Sequence, residues 1–267
     1  MVSGKKAALI GCAGCAGIVA LVVILLAGGV GVVIYQGVQI QKEMHQTYRD
    51  LALRYLDLNQ AYPFTPPASS QLTPQQAEKV MSIRTALSAT LQDNIDNLGN
   101  LGETVGQSFE EPGLSAKWRG FTQIKELVGQ AMSFGVAVGE EHLRLLESSQ
   151  MSPAEYQWLV KTVLGTLAHA DPETSPDAAA AWTAYMERFE QVSHENQNIQ
   201  MDFGQTHLRG SDMNPQNLKA VLAEVPFLKE NQESLNPFLS QLMANETLPL
   251  LDFLSLNLDR LINQLAR

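Results

Sequence analysis

The residues of this chain that could support chemistry are few, and the clearest pair lies at helical spacing. Glu190 and His194 are four residues apart, so one face of a helix would present both side chains. Glu140-Glu141-His142 is the other place where carboxylates adjoin a histidine. Metal sites in helical bundles use carboxylates together with Glu-x-x-His steps, and that step does not occur here. A solvated charge pair is therefore the simpler interpretation of Glu190 and His194, and a metal-dependent enzyme is kept as an alternative.

The other histidines do not indicate a catalytic dyad. His142 falls close to the apolar face of a predicted helix, which favours a hydrogen-bonded core histidine, although a histidine there could also sense pH. His45 lies near the predicted membrane surface, and His169 and His207 lie in or beside predicted loops. The sequence also has no phosphate-binding glycine loop, no G-x-S-x-G and no H-E-x-x-H. We therefore predict no enzyme activity, no catalytic residue, no bound metal and no cofactor.

The longest feature of the sequence is an uncharged apolar run, Ala7–Tyr35. A helix needs about 20 apolar residues to cross a bilayer, and this run is longer. Lys5 and Lys6 precede it, and basic residues favour the cytoplasmic side of a membrane, while an interfacial tyrosine such as Tyr35 suits the other boundary. We predict a single-pass transmembrane helix with a cytoplasmic N-terminus and an extracytoplasmic soluble domain.

Two other interpretations of the run remain open. A cleaved signal peptide could end near Ala27-Gly28-Gly29, although its apolar core is usually about 7–15 residues long. Leu9-Ile10-Gly11-Cys12 is similar to a lipoprotein cleavage site, but the apolar region before it is short. Cys12 and Cys15 form a CxxC pair inside or at the edge of the bilayer, where an exposed thiolate is not expected. Packing or acylation is a better interpretation of these two cysteines than redox chemistry.

Small residues recur along one face of the predicted anchor, and they predict self-association in the membrane. Helices approach closely in lipid where small side chains line the contact. The alternative is that glycine and alanine are simply common in membrane helices. The face consists of Ala13, Gly17, Ala20, Ala27 and Gly31.

Length and charge limit the remaining possibilities. We divide the 267 residues into a short cytoplasmic N-terminus with the anchor, residues 1–37, and a soluble domain, residues 38–267. A chain of this length can bury one sizeable core or at most two small ones. The formal net charge is −10, and no basic patch or stripe of the kind that nucleic-acid-binding proteins carry is present. We therefore expect no nucleic-acid partner.

A repeated start signal predicts an all-α fold. Five dipeptides pair a capping residue with proline, which fits the first turn of a helix because its missing N–H would be unpaired there. Thr73 with Gln76 and Ser152 with Glu155 also complete capping boxes. The five dipeptides are Thr73-Pro74, Ser152-Pro153, Ser175-Pro176, Asn214-Pro215 and Asn236-Pro237.

Apolar periodicity then predicts the helices of an antiparallel bundle, and no stretch is predicted as a strand. The first helix continues from the anchor to about Asn59, and the glycine-rich segment Gly99–Gly113 is predicted as a loop. The other predicted helices are Pro74 to about Leu98, about Ser115 to Ser148, Pro153–Ala168 and Pro176 to about Phe203. The predicted inward residues of the second helix are Ala77, Val80, Met81, Leu87, Leu91, Ile95 and Leu98. Those of the third helix are Phe121, Ile124, Val128, Ala131, Val138 and Leu145, and those of the fourth are Tyr156, Leu159, Val163 and Leu167.

Two apolar stripes predict surfaces for helix–helix association. One carries an asparagine among aromatic residues, which is the kind of position that fixes register in a coiled coil. The other is a leucine stripe that is either internal or intermolecular. The first stripe is Trp182, Tyr185, Phe189 and Asn196, and the second is Leu251, Leu254, Leu258 and Leu261.

The connector Tyr62-Pro63-Phe64-Thr65-Pro66-Pro67 is either a polyproline ligand or a stiff elbow whose aromatic residues pack into the core, and we favour the elbow. This elbow, the entry Leu72-Thr73 and the stretch Met151–Trp158 resemble uncharacterised bacterial membrane-anchored helical proteins. The resemblance covers short stretches, implies a bacterial cell envelope and brings no activity.

We therefore predict a membrane-anchored, envelope-facing interaction or assembly protein without catalysis. Its expected partners are the membrane and either a second copy of the chain or another membrane or envelope protein. The alternative is a ligand-sensing or small-molecule-binding domain, in which the third helix and His142 line a pocket.

Overall fold

The computed structural model describes most of the chain beyond the predicted anchor. The described residues are 33–110, 114–196, 200–203, 206–209, 214–244 and 247–265. The predicted small-residue face of the anchor lies outside them. Within these ranges, no helix is both long enough and apolar enough to cross a membrane.

Helices account for most of the described residues, which confirms the predicted all-α class. The three longest come first: α1 is Val33–Ala61, α2 is Pro74–Glu110 and α3 is Leu114–Ser148. The next two are α4, Pro153–Ala168, and α5, Pro176–Asn196. Shorter helices follow a β-hairpin: α6 Pro215–Leu222, α7 Lys229–Leu235, a 3₁₀ turn Asn236–Phe238, α8 Leu239–Ala244, α9 Leu248–Leu256 and α10 Leu258–Leu265.

Four of the five predicted start signals lie at helix starts. Thr73 and Gln76 form the predicted capping box, in which Thr73 N–H donates to Gln76 Oε1 at 3.0 Å and Gln76 N–H donates to Thr73 Oγ1 at 3.2 Å. Ser152 Oγ accepts from Glu155 N–H at 3.0 Å. The Asn236-Pro237 prediction is wrong, because Asn236 has helical φ and ψ and lies inside the 3₁₀ turn that links α7 to α8.

Two predicted boundaries are also wrong. Helix α2 continues to Glu110 through most of the predicted glycine-rich loop, because a few glycines cost only about 1 kcal/mol each and their neighbours favour helix. Helix α5 ends at Asn196, and the chain then forms the antiparallel hairpin β1, Gln200–Phe203, with β2, Thr206–Arg209. No strand was predicted here, because four-residue strands are too short for a clear alternating pattern.

The chain divides into two compact units. One comprises residues 1–47 and 90–139, and the other comprises residues 48–89 and 140–267. The second unit has a dense apolar core that confirms the predicted inward positions of α2 from Ala77 to Leu87, and Leu91, in the first unit, is buried as well. The side chains of Ile95 and Leu98 lie outside the described ones.

Helix α4 is the central element of the second unit. It packs against α5, α6, α7, α9 and α10, and it is buried on most of its surface. Tyr156, Leu159 and Val163 have no solvent exposure, as the sequence predicts. A helix that is apolar on all sides must be surrounded, and α4 satisfies that condition inside one chain.

The end of α3 turns a different face inward than its predicted one. Val138 and Leu145 are only half-buried, whereas His142, Leu143 and Leu146 are buried. The predicted face was obtained by following the helical period of apolar residues from the start of the helix, which is 35 residues long. A small error in the helical period accumulates over that length and moves the predicted face away from the true one.

Candidate functional site

A buried ion pair lies at the centre of the polar cluster in the second unit. Arg84 of α2 donates from Nε to Asp252 Oδ1 at 3.1 Å and from Nη2 to Asp252 Oδ2 at 2.5 Å. Both side chains have zero solvent exposure. A bidentate pair of this kind needs a carboxylate that accepts at both oxygens, so Asp252 is ionised while Arg84 is in place.

Hydroxyl groups and a thioether surround this pair. Arg84 Nη1 contacts Met81 Sδ at 3.4 Å, and the hydroxyls of Ser88 and Thr247 share a short hydrogen bond. The buried hydroxyls of Tyr156 and Tyr185 make no hydrogen bond of normal geometry. These groups belong to α2, α4, α5 and the start of α9, so the cluster joins four segments of the core.

Burial controls the ionisation of the cluster. It is the largest effect on Arg84 and acts to lower its pKa. The charge and hydrogen bonds of Asp252, together with the electrostatic effects of Tyr156 and Tyr185, outweigh burial, so this pKa is raised. Burial raises the pKa of Asp252, and the Arg84 guanidinium opposes the rise. Burial likewise raises the pKa of Tyr156 and of Tyr185, so both phenols stay protonated at neutral pH.

A second buried group, His142, lies between two tyrosines. The Tyr55 hydroxyl and His142 Nδ1 share a hydrogen bond of 2.9 Å, and the ring of Tyr156 meets the imidazole edge at a centroid distance of 4.7 Å. His142 Nε2 has no hydrogen-bond partner. Burial lowers the pKa of His142 to about 3, so the imidazole is neutral at physiological pH. The sequence predicts a hydrogen-bonded core histidine. His142 is in the core, but only one of its two ring nitrogens, Nδ1, forms a hydrogen bond.

The other chemistry-capable pair lies at the surface. Glu190 and His194 are both exposed on α5, and Glu140 forms an ion pair with Arg54 of α1 rather than with a histidine. Among the described residues, no group of three or more His, Cys, Asp or Glu side chains is placed to hold a metal ion.

The two predicted association stripes are largely covered by the chain itself. Tyr185 and Phe189 are buried, and Trp182 is half-buried and stacks on Tyr185 at a centroid distance of 5.7 Å. Leu251 and Leu258 are buried, and Leu254 is half-buried. Asn196 is the last residue of α5, and Leu261 lies within α10. The side chains of these two residues lie outside the described ones.

The connector between α1 and α2 is held by one buried amide. Asn231 of α7 has no solvent exposure, and its Oδ1 accepts from Leu72 N–H at 2.6 Å. Its Nδ2 donates to the carbonyl of Ser70 at 3.1 Å, and Ser70 has a positive φ of 50°. Phe64, earlier in the connector, packs on Trp158 at a ring distance of 5.6 Å. These contacts support the elbow interpretation over the polyproline ligand.

Arg84 and Asp252 are not among the predicted site residues, although the sequence contains a signal for their pairing. Arg84 follows Ala77 and Val80 and precedes Leu87 and Leu91 at alternating steps of three and four, so a charged residue occupies the apolar face of α2. Asp252 is likewise the acidic residue in an otherwise apolar turn, Leu250–Leu254. Charged side chains are almost never fully buried unless they are paired. Two opposite charges on apolar helix faces therefore predict that the two side chains pair with each other.

Comparison with protein-family models, with curated proteins and with solved structures finds no match to this chain.

Proposed function

We propose that this chain is a membrane-anchored helical interaction or assembly protein. In this proposal one N-terminal transmembrane helix precedes an antiparallel bundle domain on the extracytoplasmic side. The charge-free run Ala7–Tyr35 supports the anchor. Helix α1 begins at Val33, inside that run, and continues without a break to Ala61. An apolar segment that leads directly into a helix is suited to hold that helix at a membrane surface.

The observation that carries the non-catalytic part of the proposal is the enclosure of the polar core groups. Arg84, Asp252 and Tyr156 have zero exposure, and Tyr185 is 1 % exposed. A catalytic group must come within hydrogen-bond reach of its substrate. Groups that the core encloses in this way hold the fold together instead.

Partners in this proposal are the membrane and either a second copy of the chain or another membrane or envelope protein. No role in nucleic-acid binding is proposed, in keeping with the net charge of −10. The small-molecule alternative depends on His142 lining a pocket, and the aromatic rings of Tyr55 and Tyr156 that contact this imidazole weigh against it. The metal-enzyme alternative depends on Glu190 and His194, which gain no third ligand among the described residues.

The anchor is tested by extraction of membranes from cells that produce the full chain. We expect the protein to stay in the membrane pellet after a carbonate wash. Replacing Val22 and Leu25 by lysine should release it, because each charge at the centre of a membrane helix costs about 2.5–3.5 kcal/mol. The matched control replaces the same two residues by alanine and should stay in the pellet. Release of the unaltered chain by carbonate would overturn the proposal.

Assembly is tested by the native mass of the full chain in mild detergent. The comparison variant has Ala13, Gly17, Ala20, Ala27 and Gly31 all changed to leucine. We expect a discrete oligomer that this variant loses, because larger side chains prevent the close approach of two membrane helices. A monomer in both samples would remove self-association from the proposal.

A further inference from the structure

A groove with a volume of about 560 Å³ lies between the start of α2 and one face of α7. We call it the α2–α7 groove, and the lining residues used below are Leu72, Glu78, Glu230, Glu233, Pro237 and Phe238. Leu72 is buried beneath the groove, while the half-buried Phe238 and the exposed Pro237 give it accessible apolar surface. Its volume falls within the range of about 300–1,000 Å³ that is typical of ligand sites.

Both walls of the groove are held by hydrogen bonds. Asn231 fixes the backbone of Leu72 and Ser70, as described above, and Ser234 Oγ donates to the carbonyl of Leu72 at 3.1 Å. The capping box of Thr73 and Gln76 fixes the first turn of α2 beside them. A site whose walls are already ordered loses less conformational entropy when a partner binds.

The charges that line the groove are all negative. Glu78, Glu230 and Glu233 contribute three carboxylates, and no lysine or arginine is among the lining residues. Lys229 pairs with Glu233 at 3.7 Å, but these side chains are 81 % and 64 % exposed, so the pair contributes little and leaves the carboxylate accessible. Lys79, beside Glu78, donates instead to the carbonyl of Ser149 at 3.2 Å.

We infer that the α2–α7 groove binds an extended basic peptide segment of a partner protein. Its lysine or arginine side chains pair with the three carboxylates, and its apolar side chains pack on Pro237 and Phe238. The accessible apolar surface favours a peptide over a small polyamine, which would use only the charges. This inference names the partner chemistry of the proposed interaction protein and rests on that proposal.

The test is fluorescence anisotropy with the full chain in mild detergent and the labelled peptide acetyl-KLKLK-amide. We expect saturable binding that weakens as the salt concentration rises, because exposed ion pairs are screened. The variant E78Q/E230Q/E233Q should bind about tenfold more weakly. Phe238→Ala should also weaken binding at high salt, where the apolar contact remains.

The matched control is E147Q/E173Q/E187Q, which removes three exposed carboxylates elsewhere in the same unit and should leave binding unchanged. Equal loss in both triple variants would overturn the inference in favour of a general effect of net charge. Binding of spermidine in place of the peptide, or binding of acetyl-ELELE-amide, would also overturn it. The membrane and native-mass tests above use other residues, so failure here is distinct from failure of the proposed function.

Discussion

Arg84 and Asp252 lie 168 residues apart in sequence, yet they form a bidentate ion pair that has no contact with solvent. The pair joins α2 to α9, and the hydrogen bond between Ser88 and Thr247 also joins α2 to the start of α9. Loss of one partner leaves the other charge buried without compensation, which is costly. Replacement of both by apolar residues removes that penalty, so we expect the intact pair to add little net stability.

The first prediction concerns this ion pair. Asp252→Ala should lower the free energy of unfolding by about 3–5 kcal/mol, because the Arg84 guanidinium is left buried and unpaired. The double variant Arg84→Met with Asp252→Leu should lose much less, and a urea unfolding series measures both. The control is Arg144→Ala, which breaks the exposed pair with Glu141 and should leave the free energy of unfolding nearly unchanged. A double variant as unstable as the single one would contradict the prediction.

The second prediction concerns His142 and pH. Its pKa is about 3 in the folded chain against 6.5 for an ordinary histidine, so the unfolded chain binds a proton that the folded chain does not. The stability that the neutral imidazole contributes is therefore present above pH 6.5 and is lost as pH falls toward 3. The slope is about 1.4 kcal/mol for each pH unit in that window.

Unfolding midpoints at several pH values measure this dependence. The groups that face His142 are the phenols of Tyr55 and Tyr156, and burial raises the pKa of each, so neither titrates in the same window. His142→Phe should flatten the dependence, whereas His169→Phe, at an exposed position, should retain it. An unchanged slope in His142→Phe would show that other groups cause the acid sensitivity.

The third prediction concerns Gly165, where α4 passes close to the turn after α6. A Cβ atom at this position would lie 2.5 Å from Val225 Cβ and 2.6 Å from Val225 Cγ1. Alanine normally stabilises a helix relative to glycine by up to about 1 kcal/mol. Here we expect Gly165→Ala to destabilise the protein by about 1–3 kcal/mol, because the core must shift to accept the methyl group.

Thermal unfolding measures the effect of Gly165→Ala. The matched comparison makes the same change in a Val225→Gly background, which removes the colliding side chain. There, Gly165→Ala should cost less stability than it does in the unaltered chain. A single Gly165→Ala variant that is more stable than the unaltered chain would show that the turn moves away without cost.

The fourth prediction concerns Asn231, whose side chain holds Leu72 and Ser70 in place. Asn231→Ala leaves a buried N–H and a carbonyl without partners and should cost about 1–3 kcal/mol for each group that stays unsatisfied. Hydrogen exchange at the amide of Leu72 should become faster, because opening of the connector no longer breaks that bond. The control Asn217→Ala removes an exposed side chain of α6 and should leave exchange at Leu72 unchanged.

The starts of α2, α4, α5 and α6 could be read from local sequence. Thr73, Ser152 and Asn214 accept hydrogen bonds from backbone N–H groups three residues later, and this interaction needs nothing from the rest of the chain. The same local argument fails at Asn236-Pro237, where α7 leads directly into the 3₁₀ turn. A capping residue starts a new helix only where its own backbone is extended, and Asn236 instead continues the helical backbone of α7 into the 3₁₀ turn.

Pairing between distant segments could not be read in the same way. The sequence places Arg84 on the apolar face of α2, but it does not say that Asp252 lies opposite. It also does not distinguish a leucine stripe that joins two chains from one that packs inside one. Leu251 and Leu258 are buried inside this chain because α9 and α10 pack on α4.

The sequence by itself determined the helical class, four helix starts and the inward residues of α2 from Ala77 to Leu91, because helix formation depends on contacts within about four residues. The tertiary structure decided which faces meet, which polar groups are enclosed and where a groove remains. Those outcomes depend on how side chains that are far apart in sequence fill a common core at high packing density, and no local pattern contains that information.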